Sequence, residues 1–214
     1  QYFDDYICIL AALHAVDFDS IGLGDFGRPN GYLERQVARW SKQYEASKTE
    51  DIPAMDRIID WLPKNLPADT SISIVHGDYR PGNTITYATE PRVAAVLDWE
   101  LSTLGHPLAD LGYCCAAYHG RISSVGDFSL LDHAALGIPT EEEFITKYCE
   151  YSGRSKIDEA PYYVIFSLFR SAAIIQGVYK RGLDGNASSD QALMFGEMAK
   201  ARAATAWGLV ESHF

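Results

Sequence analysis

The chain has 214 residues, 47% of them hydrophobic and 22% charged, which is the size and composition of one ordinary globular domain with a sizeable core. Its formal net charge of −11 argues against a nucleic-acid partner, which needs basic patches, but leaves nucleotides open, because a metal and a few cations handle their phosphates locally. No apolar run approaches the roughly 18 residues of a membrane span, and Gln1 starts inside an apolar pattern with no basic leader.

Tyr2, Phe3, Tyr6, Ile9, Leu10 and Leu13 recur at helical spacing and predict a helix over residues 1–16. Residues 20–30 are polar and glycine-rich, hence a loop. Within it Gly22-Leu23-Gly24-Asp25-Phe26-Gly27 fits G-x-G-x-x-G. A phosphate-cradling loop follows a strand, and the dinucleotide form opens a helix. Here a helix precedes and Arg28-Pro29 follows, so the segment reads as a connector, at most shaping a substrate cleft. Residues 31–46 and 52–66 predict two helices, the second entered through Asp51-Ile52-Pro53. Three short strands are predicted over 71–75, 84–87 and 92–97. Residues 108–118 read as helix and 123–137 as a loop or broken helix. Pro139-Thr140-Glu141-Glu142-Glu143 opens a helix to Tyr151, its acids matching the positive end of the helix dipole. Residues 161–180 and 189–211 predict two long helices. The fold class is α+β and mostly helical, with a small β insert, one domain over 1–214.

The four cysteines, Cys8, Cys114, Cys115 and Cys149, form no C-x-x-C pair. Buried free thiols in a reducing compartment explain them better than zinc.

Chemistry concentrates in residues 71–100. An apolar run (Ile72, Ile74, Val75) leads into His76-Gly77-Asp78, and Asn83 follows Asp78 by five positions. A second run, 93–97, ends on Asp98. An acid, an amide and an acid at strand ends have the spacing of a protein-kinase catalytic loop and its metal-binding Asp. The segment resembles the aminoglycoside phosphotransferase family of small-molecule kinases. His76, Asp78, Asn83 and Asp98 match its signature, and residues 105–111 (GHPLADL) approach its Gly-Asp-Pro-x-x-Asp-Leu. Residues 31–47 (GYLERQVARWSKQYEAS) look most like the branch found alone in bacteria or fused to acyl-CoA dehydrogenases. The resemblance implies the C-terminal lobe of a protein-kinase-like fold, with the β insert carrying the catalytic loop.

On this reading Asp78 is the catalytic base, and Asn83 and Asp98 coordinate Mg²⁺ with hard oxygen ligands. Each has a plainer alternative: an Asx-turn brace for Asp78, a turn residue for Asn83, a cap for Asp98. Arg80 neutralises developing phosphate charge or is a solvated arginine. His76 is architectural in the resembled family, with a proton role as the alternative. Asp110 bonds backbone N–H groups of the catalytic loop or caps its own helix. Glu100 stands where protein kinases have the glycine of Asp-Phe-Gly, and its role stays open. Arg35, Arg39 and Trp40 lie on a helix the family uses near its acceptor. Arg170, Gln176 and Arg181 lie on, or end, the later long helix; all six are weak substrate candidates, with a solvated helix face as the plainer alternative.

The glycine loop, strand lysine and glutamate of a kinase N-terminal lobe have no counterpart here; Lys42, Lys48 and Lys64 fall on predicted helices. The chain is therefore expected to be the C-terminal lobe alone, inactive in isolation and self-associating through the face that lobe would cover. The expected function is ATP- and Mg²⁺-dependent phosphoryl transfer to a hydroxyl of a small molecule, with no nucleic acid or membrane as partner. Its expected location is cytoplasmic, or organellar within a dehydrogenase fusion. The competing readings are a non-catalytic pseudo-kinase binding module and, more weakly, a metal-dependent hydrolase using His76 and Asp78.

Overall fold

The apolar periodicities form helices that pack around one central element. The computed structural model describes residues 1–120, 128–186 and 190–214. The helices are α1 (Tyr2–His14), α2 (Tyr32–Ser47), α3 (Pro53–Trp61), α4 (Pro107–Cys115), α5 (His133–Leu136), α6 (Glu141–Ser152), α7 (Ala160–Leu183) and α8 (Phe195–His213). Helix α7 is apolar all round near its start, with Tyr162, Tyr163, Ile165, Phe166, Leu168 and Phe169 all buried, and is the axis of the core. Against it lie α2, α4 and α8, the last through the small side chains of Ala199, Ala203 and Ala206.

Helix α4 approaches α7 so closely that a Cβ on Gly112 would stand 2.5 Å from the Tyr163 backbone. Gly112→Ala is therefore expected to cost about 1–3 kcal/mol, read as a fall in Tm of several degrees, and an unchanged Tm would mean the helices separate freely.

Cap chemistry sets several boundaries. Thr140 and Glu143 form a reciprocal capping box on α6, and Pro53 opens α3. At α4 the cap is His106, whose ring accepts from the Leu108 N–H at 3.2 Å, so the alternative in which Asp110 caps that helix does not hold. The expected helix over 52–66 ends at Trp61 and continues only as a 3₁₀ turn, Leu62–Lys64, because Pro63 supplies no N–H. That over 108–118 gives way at Cys115 to a 3₁₀ turn, Ala116–His119. The last helix begins at Phe195, after a 3₁₀ turn at Asp190–Met194; Ser189 lies outside the described residues. Of the expected loop over 123–137, residues 123–127 also lie outside them, and the remainder holds a 3₁₀ turn, Phe128–Leu130, and α5.

The β structure is two small antiparallel pairs rather than three strands in one insert. Strand β1 (Ser73–Val75) pairs with β4 (Thr103–Gly105), Ser73 opposite Gly105. Strand β2 (Thr84–Thr86) pairs with β3 (Val93–Val96), Thr84 opposite Val96. Strand β4 is the element the sequence reading missed. Three residues carry no usable periodicity, and it forms because buried β1 needs a hydrogen-bonding partner. The glycine-rich connector lies along its far side, where Leu104 donates to the Phe26 carbonyl at 2.9 Å. Among the described residues no helix is long and apolar enough to cross a membrane.

Candidate active site

The loop leaving β1 alternates between core and cleft. His76 is fully buried, and Gly77 has φ +82° and no room for a side chain, since a Cβ would lie 2.7 Å from the Leu101 carbonyl oxygen. Tyr79 is driven inward, its ring 4.5 Å from that of Tyr6 and its hydroxyl donating to the Tyr6 carbonyl. Asp78 and Arg80, on either side of this anchor, are left partly exposed. The anchored tyrosine is what turns the Asp78 carboxylate outward.

Asn83 donates through Nδ2 to Asp78 Oδ2 at 2.8 Å and to the Asp78 carbonyl at 2.9 Å. Arg80 Nε reaches the same Oδ2 at 3.2 Å. With its amide nitrogen committed to Asp78, Asn83 turns its Oδ1 the other way. The peptide before Asp98 is held on both sides: Leu97 N–H donates to the Asn83 carbonyl at 2.8 Å, and the Leu97 carbonyl accepts from His76 Nε2 at 2.9 Å. His76 Nδ1 accepts from the Asp78 N–H at 3.2 Å, so the ring carries its proton on Nε2 and ties the two acidic segments together. Asp98 has φ 67° and ψ 55°, and among the described residues no other non-glycine residue has positive φ. Such left-handed backbone away from glycine costs on the order of 1–3 kcal/mol and gathers at functional sites. The carboxylate stands exposed at the end of β3, and Glu100 is exposed in the 3₁₀ turn that follows, Trp99–Leu101.

Asp110 is buried beneath this loop. Its oxygens accept from the backbone N–H groups of His76 at 2.6 Å and Gly77 at 2.9 Å. Burial pushes its carboxyl pKa up, but the His14 contact and the two amides outweigh that and hold it below the ordinary value. His14 Nε2 lies 3.4 Å from Asp110, and its Nδ1 is 2.7 Å from the Tyr148 hydroxyl. His14 and Tyr148 were not singled out in the sequence; a histidine ending an apolar helix carries no signal until α6 is brought against it.

The expected substrate residues separate. Arg39 stacks on Trp40 at 5.2 Å, and Arg170 stands 5.6 Å from the same ring. Arg170 also donates to the Gly77 carbonyl at 2.7 Å, which ties α7 to the loop that carries Asp78. Arg35 donates to the Arg28 carbonyl. Gln176 is a correction: it is 2% exposed, and its amide donates to Ser47 O and Thr49 Oγ1, both at 3.0 Å, closing the end of α2 rather than facing substrate. Arg181 is also displaced, since eleven residues of helix carry it about 16 Å along α7 from Arg170. Gln176→Ala should destabilise the fold by about 2 kcal/mol, seen as a lower Tm, with acceptor KM unchanged; a raised KM with normal Tm would restore it to the site. Lys48 and Lys64 lie just past α2 and α3, paired with Asp51 and Asp56 and with Asp60. Tyr113 is an addition: its phenol pKa is pushed up by burial and then by its hydrogen bond to Asp78, and its ring lies 6.0 Å from the Arg170 guanidinium.

The donor set suits a hard divalent cation. Asn83 Oδ1 and the Asp98 carboxylate are the candidate oxygen ligands, at adjacent strand ends, and Mg²⁺ takes few protein ligands beside phosphate and water. Among the described residues no group of three or more His, Cys, Asp or Glu side chains is arranged to hold a metal.

A sequence profile described as the phosphotransferase enzyme family matches residues 1–144. The mouse acyl-CoA dehydrogenase family member 10 is 46% identical over 201 residues, covering 93% of this chain and 19% of the relative. A crystal structure of a Ralstonia eutropha protein named as an aminoglycoside phosphotransferase superposes with TM-score 0.94 at 47% identity, covering all of this chain and 65% of that one. Choline kinase from Cryptosporidium parvum, 13% identical with TM-score 0.68, shares the fold over 98% of this chain and 64% of its own. The chain thus spans about a fifth of the curated relative and just under two thirds of the solved structures it matches. These likenesses identify the α+β architecture as a kinase-like lobe.

Proposed function

The chain belongs to the phosphotransferase enzyme family, and from that premise we propose that it is the catalytic-loop and substrate-binding lobe of an ATP- and Mg²⁺-dependent small-molecule kinase. The observation that carries the reading is the coupling of Asp78 and Asp98 through Asn83 and His76. The Asn83 amide holds the Asp78 carboxylate, and the Asn83 carbonyl and the His76 ring hold Leu97, the residue before Asp98. Phosphoryl transfer needs this kind of positioning more than covalent participation.

In this reading Asp78 orients the acceptor hydroxyl and takes its proton as the phosphoryl group departs from ATP. Arg80 lies beside the Asp78 carboxylate, where it offsets charge spreading onto the phosphoryl oxygens. Asn83 and Asp98 would hold Mg²⁺, which when bound neutralises the nucleotide phosphates. His76 and Asp110 hold the loop without entering the reaction. The dehydrogenase-related branch supports a hydroxylated acyl metabolite as acceptor, a hydroxyacyl thioester among them. The free thiols Cys8, Cys114, Cys115 and Cys149 suit a reducing compartment.

The test is to incubate the full-length protein with ATP, Mg²⁺ and a panel of hydroxyl acceptors and to read product masses. A mass increase of one phosphoryl group is expected. Mg²⁺-dependent ATP binding with no phosphorylated product would favour a binding module instead. Asp98→Ala should abolish the Mg²⁺-dependent part of ATP binding, because it removes the one carboxylate of the pair. Titrating Mg²⁺ against a bound ATP analogue reads this, and an unchanged metal requirement would remove Asp98 from the metal site.

A further inference from the structure

We propose that Arg39 and Arg170, with Trp40 as platform, form a subsite for an anionic group, a carboxylate or phosphate, carried by the acceptor; this rests on the phosphotransfer reading. The two guanidinium groups stand 5.2 and 5.6 Å from the centroid of one indole ring. Like charges gathered on one ring repel each other unless an anion bridges them. The chain has 29 acidic residues against 18 lysines and arginines, so carboxylate partners are plentiful. Yet among the described residues no carboxylate oxygen lies within 4.0 Å of Arg35, Arg39 or Arg170, although most other cations in the chain have one.

The pair is also in the right place. Arg170 donates to the carbonyl of Gly77, the residue next to Asp78, and its guanidinium stands near the ring of Tyr113. Arg39 and Arg170 belong to α2 and α7, whereas Asn83 and Asp98 flank β2 and β3, so the subsite is built by elements other than those that carry the candidate metal ligands. The Arg170 guanidinium spends one N–H on the Gly77 carbonyl, and the N–H groups that remain on it and on Arg39 match the paired oxygens of a carboxylate or phosphate. The phenol of buried Tyr32 is raised to about 12 by burial, with Arg170 opposing the rise, Asp110 adding to it, and Arg35 and Arg39 opposing it more weakly. The Trp40 ring carries the guanidinium groups of Arg39 and Arg170 and not that of Arg35, which leaves Arg39 and Arg170 as the recognising pair.

The experiment uses probes that share a hydroxyl and differ in charge: 3-hydroxybutyrate, 3-hydroxybutanamide and 4-aminobutan-2-ol, with glycerol 3-phosphate and glycerol as the phosphate arm. Binding to the full-length protein is followed by NMR at the Trp40 indole N–H, independently of turnover. The anionic member of at least one set is expected to bind at least tenfold more tightly than its neutral counterpart, and the amine more weakly still. Which set discriminates tells carboxylate from phosphate. Arg39 is exposed and bonds no backbone group among the described residues, so Arg39→Gln should keep the fold and lose the preference, while Arg39→Lys retains most of it. Equal binding within both sets, preference for the amine, no shift with any probe, or a preference surviving Arg39→Gln would overturn the subsite. The phosphotransfer reading fails by a different measurement, the metal dependence of ATP binding at Asp98, so the two failures are distinguishable.

Discussion

Asp78→Asn in the full-length protein is expected to lower turnover by about a hundredfold or more while leaving ATP binding nearly intact. The substitution keeps the side chain's shape and removes its basicity. In the structure the carboxylate takes the Asn83 amide at 2.8 Å and Arg80 Nε at 3.2 Å on one oxygen, Oδ2, and an asparagine oxygen can accept both. The loop geometry should therefore survive, so a fall in turnover reports proton transfer and hydroxyl orientation rather than collapse. Steady-state kinetics together with a nucleotide-binding titration reads both halves. Retention of more than about a third of wild-type turnover would show that Asp78 is not the base. Loss of ATP binding would show instead that its charge belongs to the nucleotide site.

Asp110→Ala is expected to be the most destabilising substitution in the site, at about 3–5 kcal/mol. It strips the partner from two buried backbone N–H groups, His76 and Gly77, and leaves His14 facing a cavity. At roughly 2–4 °C per kcal/mol for a chain of this size, Tm should fall by about 10 °C. Turnover should fall too, because the freed loop is the one that aims Asp78. The pH dependence has a definite sign. The folded Asp110 carboxyl titrates below its ordinary value, so its contribution is complete above about pH 4 and is lost as pH falls through the lowered folded value. Thermal melts between pH 2 and 7 should show a shallower acid limb in Asp110→Asn than in wild type. Equal acid limbs would mean that Asp110 is not the titrating brace.

What the sequence alone determined was whatever chemistry writes into neighbouring residues. Helical periodicity marked α1, α2, α6 and α7 to within a few residues at most ends, because an amphipathic or fully buried helix must repeat its apolar side chains every turn. The spacing His76, Asp78, Asn83, Asp98 marked a candidate site, and the structure brings the Asn83 amide to 2.8 Å from the Asp78 carboxylate, which a tight loop achieves only at a fixed separation. Three features could be decided only by the tertiary structure. Strand β4 exists because β1 is buried and needs a partner 30 residues on. Gln176 and Arg170 look alike as polar residues on one helix, yet one closes α2 and the other reaches the loop after β1. Their roles depend on which face of α7 meets which neighbour. The network from Tyr148 through His14 and Asp110 to Gly77 joins residues up to 134 positions apart. No local pattern encodes it, because a buried polar group is satisfied by whatever packing brings within about 3 Å, and that is settled only when the helices meet.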